Sequence, residues 1–394
     1  MYDLILSGGT VIDPSQALHG PLDVAVNDGK IAEIAPNILP RQAHRVIHVK
    51  GRTVTPGLID LHTHVFDGVA HNGVHPDLAG VRAGVTTVVD AGSSGAATFG
   101  AFPKHILPKS ETEVLPFLHI CQTGLATTPD IIAAASIDLD ATLRTVDAHK
   151  GLIRGIKARM VSPALEILGM EMPRLAKRAA RESHIPLMVH IGDTEKRYRS
   201  DVIRELLPLL EPGDIVTHLF TANPGGVLDA NGVLVPEARE LKDRGVWLDT
   251  AHGRLNFGFD VARKVLDQGL IPDCISTDLT IPGRSNTVHS LVEMMARFLG
   301  LGFTFEQVIT MCTANPAKVL GEQARLGSLA VGRQADISVL DLRQGDWVVY
   351  DTLRSPMRIT QAVVPTLTIK RGHVFEPEWG PHPWGWEPEP ADAP

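Results

Sequence analysis

The decapeptide Thr55-Pro56-Gly57-Leu58-Ile59-Asp60-Leu61-His62-Thr63-His64 closes an apolar run with two imidazoles two residues apart. Successive side chains of a strand point to opposite faces, so His62 and His64 project together and can grip one metal ion. In a chain with 17 histidines such a pair carries weight only in company. Four more apolar runs end in, or carry, a polar side chain: Lys157 within Gly155-Ile156-Lys157-Ala158-Arg159, His190 after Leu187-Met188-Val189, His218 after Ile215-Val216-Thr217, and Asp278 after Ile275-Ser276-Thr277. Singly, each has an ordinary structural use: a snorkelling lysine, a hydrogen-bonded core histidine, an aspartate capping the next helix. Their shared place at run ends favours a ligand set.

Lys157 is the odd member, because an ammonium repels cations. If burial and nearby metal charge lower its pKa, the neutral amine can add carbon dioxide to give a carbamate. That bidentate anion can bridge two metals. Asp278, the sole carboxylate of the set, is placed to serve as ligand and proton acceptor.

Such a site needs elements that bring separated residues together. Eight candidate strands, each entered from a Gly or Pro turn, are Val54 to Leu61, Thr86 to Asp90, Val114 to Ile120, Gly155 to Met160, Leu187 to His190, Ile215 to His218, Val246 to Asp249 and Cys274 to Thr277. Helix-like stretches with apolar residues at three- and four-residue spacing fall between them, among them Met172 to Ser183, Asp201 to Leu210, Pro236 to Arg244 and Phe259 to Gln268. Eight βα units in about 270 residues match a closed (β/α)8 TIM-type barrel, whose strand carboxyl ends converge on one face. A doubly wound open sheet is the alternative. This α/β barrel is expected over residues 54–325.

Residues 1–53 and 326–375 have a different texture, with short β-type runs and a hairpin signal at Asn27-Asp28-Gly29. They are expected to pair into a small β-sandwich domain. A tail, 376–394, is dense in Pro and Glu and holds Trp379, Trp384 and Trp386. A solvated tail and one packed on the body or on a neighbouring subunit are both open.

The chain has 394 residues, 44% of them apolar, ample for a substantial core. A net charge of -8 offers no basic stripe for phosphates, which argues against nucleic acid and for small-molecule partners. The N-terminus lacks a basic segment, and no apolar run approaches membrane-spanning length, so no membrane association and a cytoplasmic location are expected. Cys121, Cys274 and Cys312 are far apart and fit buried, reduced thiols, with Cys121 near a strand end the one to watch.

The "PGLIDLHTH" opening, the Lys157 strand, the two later histidines, the "STD" aspartate and the closing "GSLAVGRQADISVLDL" resemble the amidohydrolase superfamily over nearly the whole chain. The likeness is to its binuclear-zinc, carboxylated-lysine branch, and within it to deacetylase-like metallohydrolases often labelled dihydroorotases. The resemblance implies that His62, His64 and Asp278 bind the more buried metal, that His190 and His218 bind the more exposed one, and that carboxylated Lys157 bridges. Two zinc ions sharing a hydroxide would then supply the nucleophile, and Asp278 would carry its proton to the leaving group. A homo-oligomer is also implied.

Dihydroorotases place an arginine two residues beyond the His-x-His pair, whereas Val65 and Phe66 follow here, which disfavours dihydroorotate. Arg159, two residues past Lys157 and on the same strand face, is a candidate for a substrate carboxylate or for a rim salt bridge. His252, in Asp249-Thr250-Ala251-His252-Gly253, is a candidate to donate to the carbonyl or recognise the leaving group, with Arg254 and Arg284 as further substrate contacts. The resemblance suggests hydrolysis of an amide or ester in a small acylated compound, an N-acyl amino acid or an acetylated 2-hydroxy acid. A cyclic amide of hydantoinase type is the alternative. A non-catalytic scaffold is the other, and the intact ligand set argues against it.

Overall fold

Seven parallel strands carry, or lead directly into, five of the six run-ending residues. In the computed structural model, which describes residues 1–377, they are Leu58–Thr63, Val85–Gly95, Glu113–His119, Ile156–Arg159, Leu187–His190, Ile215–Thr217 and Trp247–Leu248, hydrogen-bonded in chain order. Residues 274–279 take the eighth place without forming a regular strand: one parallel bridge pairs Asp249 with Cys274 and another pairs Thr63 with Leu279. Asp278 N–H donates to His62 O at 2.7 Å, and His64 N–H to Leu279 O at 3.0 Å. These bonds join the last segment to the first strand, so the barrel is closed and the open sheet, with its two unpaired edges, is ruled out.

The expected first strand, Val54 to Leu61, is divided at Gly57. Thr53–Pro56 pairs with Ile337–Leu340 and with Thr10 and Val11, whereas Leu58–Thr63 pairs with the second barrel strand. A Cβ on residue 57 would lie 2.2 Å from Thr86 Oγ1, so the chain changes sheets where only glycine fits. Two expected helices shorten. The 201–210 stretch holds a single α turn, Ile203–Leu206, flanked by 3-10 turns, because Pro208 cannot extend it. The 236–244 stretch keeps Pro236–Arg239 and then turns toward Gly245. Glu171–Ser183 and Phe259–Asp267 form as expected, each burying one apolar face.

Leu115, Phe117, Met188, Ile215 and Cys274, from four different barrel positions, pack into one cluster with Ala317, Val319 and Leu320. The barrel interior is therefore filled, and reactive chemistry is confined to a mouth.

The terminal segments form one eight-stranded sheet built from Tyr2–Asp13, Leu18–Asn27, Lys30–Ala35, Ala43–His48, Thr53–Pro56, Ile337–Tyr350, Pro356–Lys370 and His373–Phe375. Asn27 pairs with Lys30 across Asp28 and Gly29, whose φ values of 49° and 68° are those of a two-residue hairpin turn. Leu4, Leu6, Val24, Val26, Ile337, Val339 and Ile369 make its buried face. Ser338 fastens this sheet to the barrel: its Oγ accepts from Leu58 N–H at 3.0 Å and donates to Gly84 O at 2.6 Å. Lys370 adds a buried link, 2.7 Å from Asp336 and 2.9 Å from Glu113. Leu58, Gly84 and Glu113 all lie where barrel strands begin, so the attachment leaves the strand carboxyl ends clear.

All three cysteines are buried and free. Among the described residues no helix is long and apolar enough to cross a membrane. The tryptophan-rich part of the tail, 378–394, lies outside the described residues.

Candidate metal centre

Strand register levels the polar ends. His119 is the cross-strand partner of Lys157, and Arg159 is level with His190, which is level with Thr217. The six expected ligands consequently meet. His64 Nε2 lies 3.0 Å and His62 Nε2 3.4 Å from Asp278 Oδ1, and Lys157 Nζ is 3.2 Å from His62 Nε2. The rings of His62 and His218 are 5.0 Å apart, and those of His190 and His218 4.0 Å. Ligand atoms of His62, His218 and Asp278 all fall within 4.8 Å of one another.

Hydrogen bonds fix which imidazole nitrogen is basic. Thr217 Oγ1 donates to Asp249 Oδ2 at 2.6 Å, so it accepts from His62 Nδ1 at 2.9 Å, and the Nε2 lone pair is left facing the centre. His218 Nδ1–H donates to Ala251 O at 2.7 Å, which leaves Nε2 in the same state. The Nε2 atoms of His190 and His218 are buried without a hydrogen-bond partner. Burial and their basic neighbours hold the His62 and His190 imidazoles well below their usual range, and burial pushes His218 down to about 4. Several neutral imidazoles presenting lone pairs to one point repel each other unless a cation sits there. The donor set therefore fits a divalent metal.

Burial pushes the Lys157 amine down to about 7, near the condition in which it can take up carbon dioxide. Its stem passes through a gap that glycine leaves open, since a Cβ on Gly92, whose φ is 85°, would lie 2.5 Å from Lys157 Cβ. Burial alone would raise the Asp278 carboxyl. The His64 hydrogen bond, with His218 and Lys157 as basic neighbours, outweighs that and keeps it below the ordinary carboxylate range.

Backbone strain collects here, with φ of 53° at Asp278, 70° at His218 and 28° at Ala251. Gly253 N–H bonds Thr277 O at 2.8 Å and runs beside Asp278, where a Cβ on residue 253 would lie 2.1 Å from Asp278 Oδ2. Gly253→Ala is expected to displace Asp278, cutting turnover roughly a hundredfold while costing about 1–2 kcal/mol of stability for its left-handed backbone. Turnover measured beside thermal unfolding checks this, and an unchanged rate would contradict the packing described.

The substrate-contact candidates divide. Arg159 and Arg254 line the mouth with His64, His190 and Asp278, alongside Asn72, Thr128, Thr194, Asn256 and Thr280. His252 does not line it: the residue is fully buried, its Nδ1 2.7 Å from Gly253 O and its ring stacked on Phe257 at 4.8 Å. Apolar packing by Phe257 draws it under the loop. Arg284, on the short helix Ile281–Asn286, turns toward His289, with NH2 3.4 Å from Nε2, and also stays off the mouth. Phe66, at the position where an arginine would mark dihydroorotate recognition, is buried and stacked on Phe102 at 4.6 Å.

Supporting residues escaped the sequence reading. Asp249 orients Thr217 and accepts from Ser276 Oγ at 2.7 Å. Asp90 accepts from Val65 N–H at 2.8 Å and Ser93 N–H at 2.7 Å, and Ser93 Oγ lies 2.8 Å from His64 Nδ1. Asp60 accepts from Thr277 Oγ1 at 2.6 Å, tying the first strand to the last. A carboxylate ending or interrupting an apolar run was the available signal, and Asp90 and Asp249 end two of the expected strands. The mouth-lining Asn and Thr residues sit on loops and carry no such mark.

The sequence pattern described as the Amidohydrolase family matches residues 53–375. A Brucella anthropi protein named a deacetylase is 33% identical over 346 residues, 87% of this chain and 84% of that protein. An Enterococcus faecalis protein, also named a deacetylase, is 30% identical over 380 residues, 95% of this chain and 99% of the relative. A solved structure titled as an adenine deaminase superposes with a TM-score of 0.86 at 29% identity, covering 95% of this chain and 100% of that one.

Proposed function

We propose, because this chain belongs to the amidohydrolase family and is a hydrolase, that it removes the acyl group from a small N-acyl amino acid or acetylated 2-hydroxy acid at a centre of two divalent metal ions, zinc by preference. The observation that carries this reading is the convergence of four imidazoles, two of them with unpartnered buried Nε2 atoms, on the Lys157 amine and the Asp278 carboxylate. His62, His64 and Asp278 would hold one metal, His190 and His218 the other, and Lys157, as its carbamate, would bridge them. When bound, such ions lower the pKa of water to ~7 and polarise a carbonyl.

The remaining steps fall to the chain itself. Asp278, ionised and held by His64, takes a proton during attack and returns it to the departing amine or alcohol. Arg159 and Arg254 offer guanidinium groups to an anionic substrate at the mouth. His252 is buried, with its Nδ1 2.7 Å from Gly253 O.

Zinc-loaded protein assayed on N-acetyl amino acids, acetylated 2-hydroxy acids and cyclic imides tests this. Hydrolysis of one acetylated class is expected. Turnover of the cyclic imides alone would overturn the deacylase reading.

A further inference from the structure

A buried polar group beside the centre is left unused by the chemistry above. His119 ends the third barrel strand and Asp130 lies in the loop beyond it, and both are buried, at 0% and 6% exposure. His119 Nδ1 accepts from Cys121 N–H at 2.9 Å, which puts the ring proton on Nε2, and that atom lies 3.2 Å from Asp130 Oδ2 but off hydrogen-bond alignment. The Cys121 thiol donates to Asp130 O at 2.9 Å, so one residue fixes both ends of the pair. The same Asp130 Oδ2 accepts from Arg159 NH1 at 3.3 Å.

We propose that Cys121, His119 and Asp130 are positioning residues that clamp the Arg159 guanidinium across the mouth, where it binds a carboxylate carried next to the scissile acyl group. This rests on the deacylase reading and names the substrate feature that the site selects.

Several observations bear on it. A buried carboxylate is costly unless paired, and here burial, which would raise the Asp130 carboxyl, is overcome by Arg159 and His119, so the group stays ionised. Arg159 is only partly buried and lines the mouth, so one edge of its fork is held and the rest faces the cavity. A guanidinium fixed in advance loses less entropy on binding an anion than a swinging one. Arg254, also at the mouth, is exposed and fits a looser outer contact. The only carboxylate lining the mouth among the described residues, Asp278, faces the metal-ligating histidines, so the outward charge is positive. Because Arg159 is level with His190 and two residues past Lys157, its anion must sit within one small molecule of the reacting carbonyl. That spacing suits an α-carboxylate.

The test uses zinc-loaded full-length protein with three probes: O-acetyl-lactate, its neutral N-methylamide, and the unreactive ether 2-ethoxypropanoate. Wild-type protein is expected to prefer the carboxylate over the amide in kcat/KM. Arg159→Ala should shrink that ratio about 10- to 100-fold, mainly through KM of the carboxylate, and weaken 2-ethoxypropanoate in calorimetry similarly. Asp130→Asn should shrink the ratio about 3- to 10-fold, and add nothing in the Arg159→Ala background. An Asp130→Asn protein that loses both substrates equally, with the ratio intact, would overturn the clamp. So would ether binding that ignores Arg159. If wild-type protein hydrolyses neither probe yet binds the ether through Arg159, the anchor stands and the deacylase reading falls.

Discussion

Asp278→Asn is expected to keep its metal and lose roughly a thousandfold in turnover. Asparagine preserves the size of the side chain and one oxygen donor, so the contacts at 3.0 Å to His64 and 3.4 Å to His62 have a near-equivalent. It cannot take up and return a proton. Asp278 is suited to that task because its histidine neighbours keep it ionised despite burial, and because Gly253 leaves room for its Oδ2. Its φ of 53° is one that asparagine tolerates as well as aspartate, so the backbone gives no second reason for a loss. Steady-state rates measured beside metal content separate the roles, and unchanged turnover would refute the assignment of the proton shuttle.

Lys157→Ala should lose metal as well as activity. The Lys157 amine is buried, 3.2 Å from a histidine nitrogen and 3.5 Å from Met188 Sδ, poor company for an ammonium. Its pKa near 7 and the room that Gly92 leaves for its stem suit a modified, anionic side chain better. If Lys157 bridges the metals as its carbamate, divalent metal bound per Lys157→Ala chain should fall from about two equivalents to one or fewer, with turnover down by a factor on the order of 100 or more. Formate, acetate or propionate, entering the space vacated, should restore part of both. Full metal loading in Lys157→Ala would argue against the bridge.

The centre was legible in the sequence to a degree that its surroundings were not, for a physical reason. A barrel strand must be apolar until its carboxyl end, so His62, His190 and His218 stand out as polar residues where burial continues. Asp278 was legible by the same rule even though its segment forms no regular strand, because its N–H bonds His62 O and Leu279 bridges to Thr63, which aligns the segment beside the first strand. Arg159 was placed on the mouth by strand alternation. The position of His252 was not legible, because the seventh strand stops at Leu248 and the chain then turns its imidazole against Phe257, a tertiary contact that no local pattern announces. Arg284 fell to the same limit, since a helix turn directs it to His289. The division at Gly57 was equally hidden, because the reason is Thr86, on another strand. Asp130 shows the limit most clearly: it lies in a loop between two expected strands, and only folding brings it to His119 and Arg159.

The most direct measurement of the central claim is the metal content of the purified full-length chain, determined by mass spectrometry. About two divalent ions per chain, both lost to a strong chelator together with hydrolysis and both restored by zinc, is the predicted result. Hydrolysis that persists in protein stripped of all metal would contradict it.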